Sequence, residues 1–115
     1  MRRDVERLDD ILAAADEVME FCDGLEREEF ERNKTVRYAI LHSMTIIGEA
    51  SSRLTGSLRE AHEEIPWRRI IAFRHRLVHN YGELDLELVW EVARKLVPRL
   101  RDQVAVIRAG FGDEL

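Results

Sequence analysis

Eight consecutive residues, Arg74-His75-Arg76-Leu77-Val78-His79-Asn80-Tyr81, gather side chains able to grip a phosphate and to move a proton. An RNA strand can be cut without a metal when its own 2′-hydroxyl attacks the neighbouring phosphorus. That step needs a group titrating near neutrality, which histidine supplies. It also needs a fixed positive charge on the phosphate as negative charge accumulates, and the arginine fork provides one with bidentate geometry. On this reading His79 is the acid or base and Arg74 stabilises the transition state. Tyr81 positions or polarises the phosphate, and His75 and Arg76 support its binding.

Two other readings of the same residues stay open. His75 and His79 stand four apart, a workable spacing for a metal on a helix, although no nearby Cys or Asp completes a ligand set and only Glu83 or a residue of another helix remains. Alternatively His79 is a cation favoured near a helix C-terminus and the arginines are simply solvated. Helical geometry also constrains the first reading. Residues five apart are separated by roughly 140° around the axis. Arg74 and His79 therefore share a face only if Arg74 curls round or the helix loosens near His79. Arg76 and His75 lie closer in angle to His79.

Charge is distributed to match one anionic ligand. The 115-residue chain carries −5 overall, which argues against a general nucleic-acid binder. Residues 66–81 hold four arginines and no acid, a local +4. Taking those four from the 18 basic residues leaves 14 against 23 acids, so the rest of the chain carries −9. Arg68 and Arg69 belong to this basic island, or are ordinary surface residues. The absence of any acid over that stretch weighs against the purely structural reading.

The elements that must position these residues read as helices. Apolar residues make up 45% and charged residues 36%, a mixture that folds. One domain over 1–115 is expected from the length. Leu8, Ile11, Leu12, Ala15, Val18, Met19 and Cys22 form an amphipathic stripe that stops at Asp23-Gly24. Residues 25–33 form a short connection pinned by Phe30. A long helix is expected from about Asn33 to Leu54, with Val36, Ile40, Met44, Ile47 and Leu54 inward and Ala39, Ile46 and Ala50 widening the face. So wide a face suggests burial on two sides, by the core and by a partner subunit. Glu49 sits in it, either orienting an arginine of the motif helix or plainly exposed.

Ser57 and Glu60 have capping-box spacing. Ile65-Pro66-Trp67 opens the motif helix, whose core stripe is Ile70, Phe73 and Leu77 and whose end is Tyr81-Gly82. Asp85 is the expected N-cap of a last helix carrying Val89, Ala93, Leu96, Leu100, Val104 and Ile107, kinked at Pro98. The expected fold is all-α, an up-and-down bundle of four to five helices. The lone Cys22 excludes an internal disulfide and fits a reducing compartment. No apolar run reads as a signal peptide or membrane span, so the cytoplasm is the expected location.

Arg74, four residues, His79, one residue, Tyr81 matches the R-x4-H-x-Y pattern of HepT-like toxins in the HEPN superfamily. The chain resembles that family in further stretches, in the same order: Ile-Ile-Gly-Glu-Ala at 46–50, Ile-Pro-Trp at 65–67, Leu-Val-His at 77–79 and Asp-Leu-Glu-Leu-Val-Trp at 85–90. The resemblance implies a HEPN-like homodimer acting as a metal-independent endoribonuclease, with Arg74 and His79 catalytic and no cofactor. It implies a type VII toxin–antitoxin system, in which a minimal nucleotidyltransferase antitoxin transfers AMP from ATP to Tyr81. The added bulk and negative charge would repel RNA. The chain departs from many relatives at His75, where they carry Asn, and at Asn80, where they carry Gly. Asn tolerates a left-handed backbone nearly as well as glycine. The alternative is a non-catalytic helical module that binds a nucleotide or a nucleotidyltransferase through the same basic site.

Overall fold

The computed structural model describes residues 2–112, without the side chains of Arg2 and Tyr81. All regular structure among the described residues is helical: α1 (Arg2–Cys22), α2 (Arg27–Arg32), α3 (Lys34–Ser52), α4 (Gly56–Ala61), α5 (Trp67–His79), a 3-10 turn (Tyr81–Glu83), α6 (Leu86–Glu91), a π-turn (Val92–Leu96) and α7 (Val97–Ala109). The expected all-α bundle is what forms. α1 lies among α3 and α7, and α3 in turn carries α5.

Helix α1 forms because Val5, Leu8, Ile11, Ala15, Val18 and Cys22 recur on one face, and all six are buried. Met19, expected on that stripe, is exposed at its edge. The helix stops at Gly24, whose φ of +75° suits a residue without Cβ. Burial pushes the Cys22 thiol above its ordinary pKa, with Arg94 opposing the rise. Such a thiol is packing material rather than a nucleophile. Phe30 pins α2 to the core against Trp90, with ring centroids 5.2 Å apart.

Asn33 caps α3 by accepting the Val36 N–H at 3.1 Å. The wide apolar face of α3 is covered by α1 and α5 of the same chain. Its width therefore needs no partner subunit to account for it. The cap of α4 also differs from expectation. Thr55, not Ser57, caps this helix, its hydroxyl accepting the Leu58 N–H at 3.3 Å. The reason is tertiary. Asp4 of α1, 1% exposed, accepts from the Thr55 N–H at 3.0 Å and from its hydroxyl at 2.7 Å. A partner 51 residues away is invisible to a local pattern.

Pro66 stands at the N-cap of α5 rather than in its first turn. Trp67 anchors the start, buried and donating its indole N–H to the His62 carbonyl at 3.1 Å. The last helical run is interrupted by the π-turn, in which the Val97 N–H reaches back to the Val92 carbonyl, five residues away. Pro98 lacks an N–H, and a widened turn before it absorbs the interruption that was expected as a kink at the proline itself. The register also shifts. Val97 is buried, while Leu96 is 53% exposed. Asp85 caps α6 as expected, accepting the Glu87 and Leu88 N–H groups. No helix among the described residues is long and apolar enough to cross a membrane.

Candidate active site

The motif residues occupy the last turns of α5, and their faces are set by that helix's packing on α3. Leu77 is buried, whereas Ile70 and Phe73 are only half-buried. The helix stays regular to its end, since the Asn80 N–H donates to the Arg76 carbonyl at 2.9 Å. It does not loosen at His79. Arg74 and His79 thus keep the wide angular separation of an ideal helix.

Arg74 is half-buried and faces α3, directly against Gly48. A Cβ built at Gly48 would overlap the Arg74 Cβ and stand 2.6 Å from its Cγ. Glycine at 48 is therefore what lets α5 come close enough to seat Arg74. Sequence reasoning gave Gly48 no role of its own. The available signal was a glycine in the middle of a good helix, where it costs about 1 kcal/mol relative to alanine and commonly marks close packing. The Arg74 Nε is buried and has no hydrogen-bond partner.

His75, Arg76 and His79 are exposed on the other side of α5. The fold brings His75 and His79 together, with ring centroids 4.2 Å apart and planes tilted by 41°. Among the described residues no group of three or more His, Cys, Asp or Glu is placed to hold a metal ion. Asn80 ends the helix at φ −118° and ψ 35°, so the position does not use the left-handed backbone for which its tolerance had been considered. The Tyr81 side chain, expected to carry the modification, lies outside the described residues. Its backbone opens the 3-10 turn, in which the Glu83 N–H donates to the Asn80 carbonyl at 2.9 Å.

Glu49 does not reach the motif helix. Its carboxylate pairs with Arg53, four residues on in α3, at 3.1 Å. A partner one turn away on the same helix needs no tertiary arrangement to be within reach. Arg68 and Arg69 are both exposed. Arg69 rims a groove of about 430 Å³ between α3, α5 and the last helical run, floored by Met44, Ile47, Ile70, Phe73 and Leu100. The groove follows the first half of α5, whereas the histidines and Arg74 lie on its second half.

Comparison with known proteins bears on this arrangement. A family model described as "Ribonuclease HepT-like" matches residues 11–107. "Putative RNase MJ1380" of Methanocaldococcus jannaschii is 36% identical over 107 residues, which span 92% of this chain and 98% of that protein. "Probable ribonuclease HepT" of Thermococcus cleftensis is 31% identical over 101 residues, 88% of this chain and 92% of that protein. "Putative RNase TTE0752" of Caldanaerobacter subterraneus is 33% identical over 100 residues, 87% and 89% of the two chains. No solved structure matches. The matched region holds the whole of α3 and α5, with Gly48, Arg74 and His79 in it, and on that match the chain belongs to the HepT-like ribonuclease family.

Proposed function

We propose that this chain is a metal-independent endoribonuclease toxin whose reaction is centred on Arg74 and His79. The observation that carries the reading is the Arg74 Nε, a buried donor with no partner in the protein. A buried donor left unpaired is costly, and such cost is retained where a ligand supplies the missing acceptor. A phosphate oxygen is the acceptor that a guanidinium fits best. His79, exposed at the end of the same helix, is the group that exchanges the proton. The RNA 2′-oxygen attacks phosphorus, the 5′-oxygen leaves, and Arg74 and Arg76 balance the charge on the phosphate. Since Arg74 and His79 face different sides of α5, a bound strand crosses the helix end to meet both. Arg76 and His75, beside His79, hold the strand on that side.

The family membership supports RNA as the substrate. Control by a minimal nucleotidyltransferase, single-domain organisation over 1–115 and a homodimer complete the reading. Transfer of AMP from ATP joins the Tyr81 oxygen to the α-phosphorus and releases pyrophosphate. The modification would set a negative group two residues from His79. In a homodimer, the apolar groove along the first half of α5 is a surface to be covered.

Purified protein is expected to cut RNA in the presence of EDTA, and His79→Ala to abolish cutting. Equal cutting by His79→Ala would overturn the assignment. Co-incubation with a minimal nucleotidyltransferase and ATP is expected to add whole adenylyl units to Tyr81, read by mass spectrometry. The same label on Tyr81→Phe would remove Tyr81 from the scheme.

A further inference from the structure

His75 and His79 form a pair whose geometry goes beyond what proton transfer at His79 requires. They stand one turn apart in α5, which stays regular to its end, so they share a face of the helix. Both are exposed. Their ring centroids lie 4.2 Å apart with planes tilted by 41°. Among the described residues neither ring makes a hydrogen bond or an ion pair, so the protein leaves their nitrogen lone pairs unengaged.

That separation is close to the one a shared metal ion imposes. A neutral imidazole carries one nitrogen lone pair and one N–H. Two imidazoles on one zinc ion, each nitrogen about 2.0–2.1 Å from it, place their ring centroids about 4.5–5 Å apart at bond angles near or slightly above a right angle. The observed 4.2 Å lies within about 0.5 Å of that range, a difference that small rotations of two exposed side chains absorb. Among the described residues no third His, Cys, Asp or Glu joins the pair, and the charge of Arg76, between the two in sequence, opposes a cation. Such a site is open and reversible. Water fills the remaining positions, and occupancy follows the free concentration of the ion.

The geometry points to an inhibitory site for a transition cation of the zinc class, in which one ion takes the lone pairs of His75 and His79 together. A ring whose lone pair is on a metal keeps only its N–H and has nothing with which to accept a proton. The site stands on the geometry of the pair, whereas its effect on cutting rests on the ribonuclease reading. On that reading the reaction needs no metal, so the bound ion stops the proton transfer and supplies nothing in return. Imidazole suits Zn²⁺, Cu²⁺ and Ni²⁺, while Mg²⁺ and Ca²⁺ take oxygen ligands. The site therefore responds to the first group of ions and not to the second.

The test titrates Zn²⁺ into the full chain by isothermal titration calorimetry, after treatment with EDTA and removal of the chelator. One ion per chain is expected, bound about a hundredfold more tightly than by His75→Asn or His79→Asn, since either variant turns a two-point attachment into one. His62, whose Nδ1 lies 3.6 Å from the Glu64 carboxylate, is the competing site. His62→Gln and an excess of Mg²⁺ are each expected to leave the titration unchanged. Equal affinity in the parent and both motif variants, with helical circular dichroism intact, would overturn the site. Loss of the ion in His62→Gln, or its displacement by Mg²⁺, would do the same. The effect on the reaction is read separately. Cleavage by the parent is expected to fall as Zn²⁺ is added and to return with EDTA. In His75→Asn the same fall, measured against that variant's own rate in EDTA, is expected to need about a hundredfold more Zn²⁺. Inhibition at equal Zn²⁺ in both would place the inhibitory ion off the pair and overturn the proposal. A chain that binds Zn²⁺ through both histidines and cuts no RNA keeps the site and loses the ribonuclease reading. A chain that cuts RNA and binds Zn²⁺ no better than its variants loses only the inhibitory site.

Discussion

Arg74 carries two opposed demands. Its aliphatic stem fills the space that Gly48 leaves, while its Nε is buried without a partner. The stem contributes to packing and the orphaned donor subtracts from stability. Replacing it by an unbranched apolar side chain of similar length separates the two. Arg74→Met is expected to leave stability unchanged or raise it by up to about 1 kcal/mol in urea denaturation, because packing is kept and the unpaired donor is gone. RNA cleavage by the same variant is expected to fall by about a hundredfold or more, the loss seen when one charge-stabilising donor is removed. A variant that unfolds early would show instead that Arg74 serves the fold. His79 carries no such structural duty, being exposed, and its substitution is expected to leave the fold intact.

At the scale of elements, the α3–α5 contact decides where the motif points. Gly48→Ala puts a methyl where the Arg74 Cβ stands. Overpacking of this kind costs about 1–3 kcal/mol, here by forcing the two helices apart. The expected result is a lower denaturation midpoint together with weaker cleavage, as Arg74 moves with α5. The junction of α1 with α4 is the other long-range tie. Asp4 is buried and accepts both the N–H and the hydroxyl of Thr55. Asp4→Ala leaves a helix cap without its own anchor and two donors without an acceptor. A loss of about 2–3 kcal/mol is expected in thermal or urea unfolding, since hydrogen bonds to a charged group are worth about 1.5–3 kcal/mol. Thr55→Ala in the Asp4→Ala background is expected to cost less than in the parent, because the two residues act as one unit.

For the whole molecule, the basic island is the locality through which the proposed reading brings RNA in. The chain is acidic overall at −5, so on that reading a strand would be drawn to one locality rather than to the surface at large. Four arginines lie between residues 66 and 81. If all four contact phosphates of a single strand, the logarithm of RNA affinity should fall with the logarithm of salt at a slope no steeper than about −3. Arg68→Glu with Arg69→Glu is expected to flatten that slope while leaving the cleaved linkage unchanged, measured by filter binding across a salt series. An unchanged slope would place those two arginines outside the RNA path.

Helicity, the buried stripe of α1, the stop at Gly24 and the cap at Asp85 were legible in the chain because each depends on residues within one or two turns of one another. The R-x4-H-x-Y spacing was legible for the same reason. So was the difficulty that Arg74 and His79 point apart, since 3.6 residues per turn fixes that angle before any packing occurs. The regular end of α5 leaves that angle in place. What the neighbours of each helix do was not legible. The Asp4–Thr55 cap spans 51 residues. The exposure of Leu96 in place of Val97 follows from a π-turn set by Pro98 and by the core beneath it. Glu49 could be placed only once its carboxylate was seen on Arg53. Gly48 stood in the sequence as one glycine in a helix, and only the approach of α5 gave it a purpose. Local spacing determines which side chains a helix offers on each face, and tertiary packing decides which of those faces remain open to a ligand.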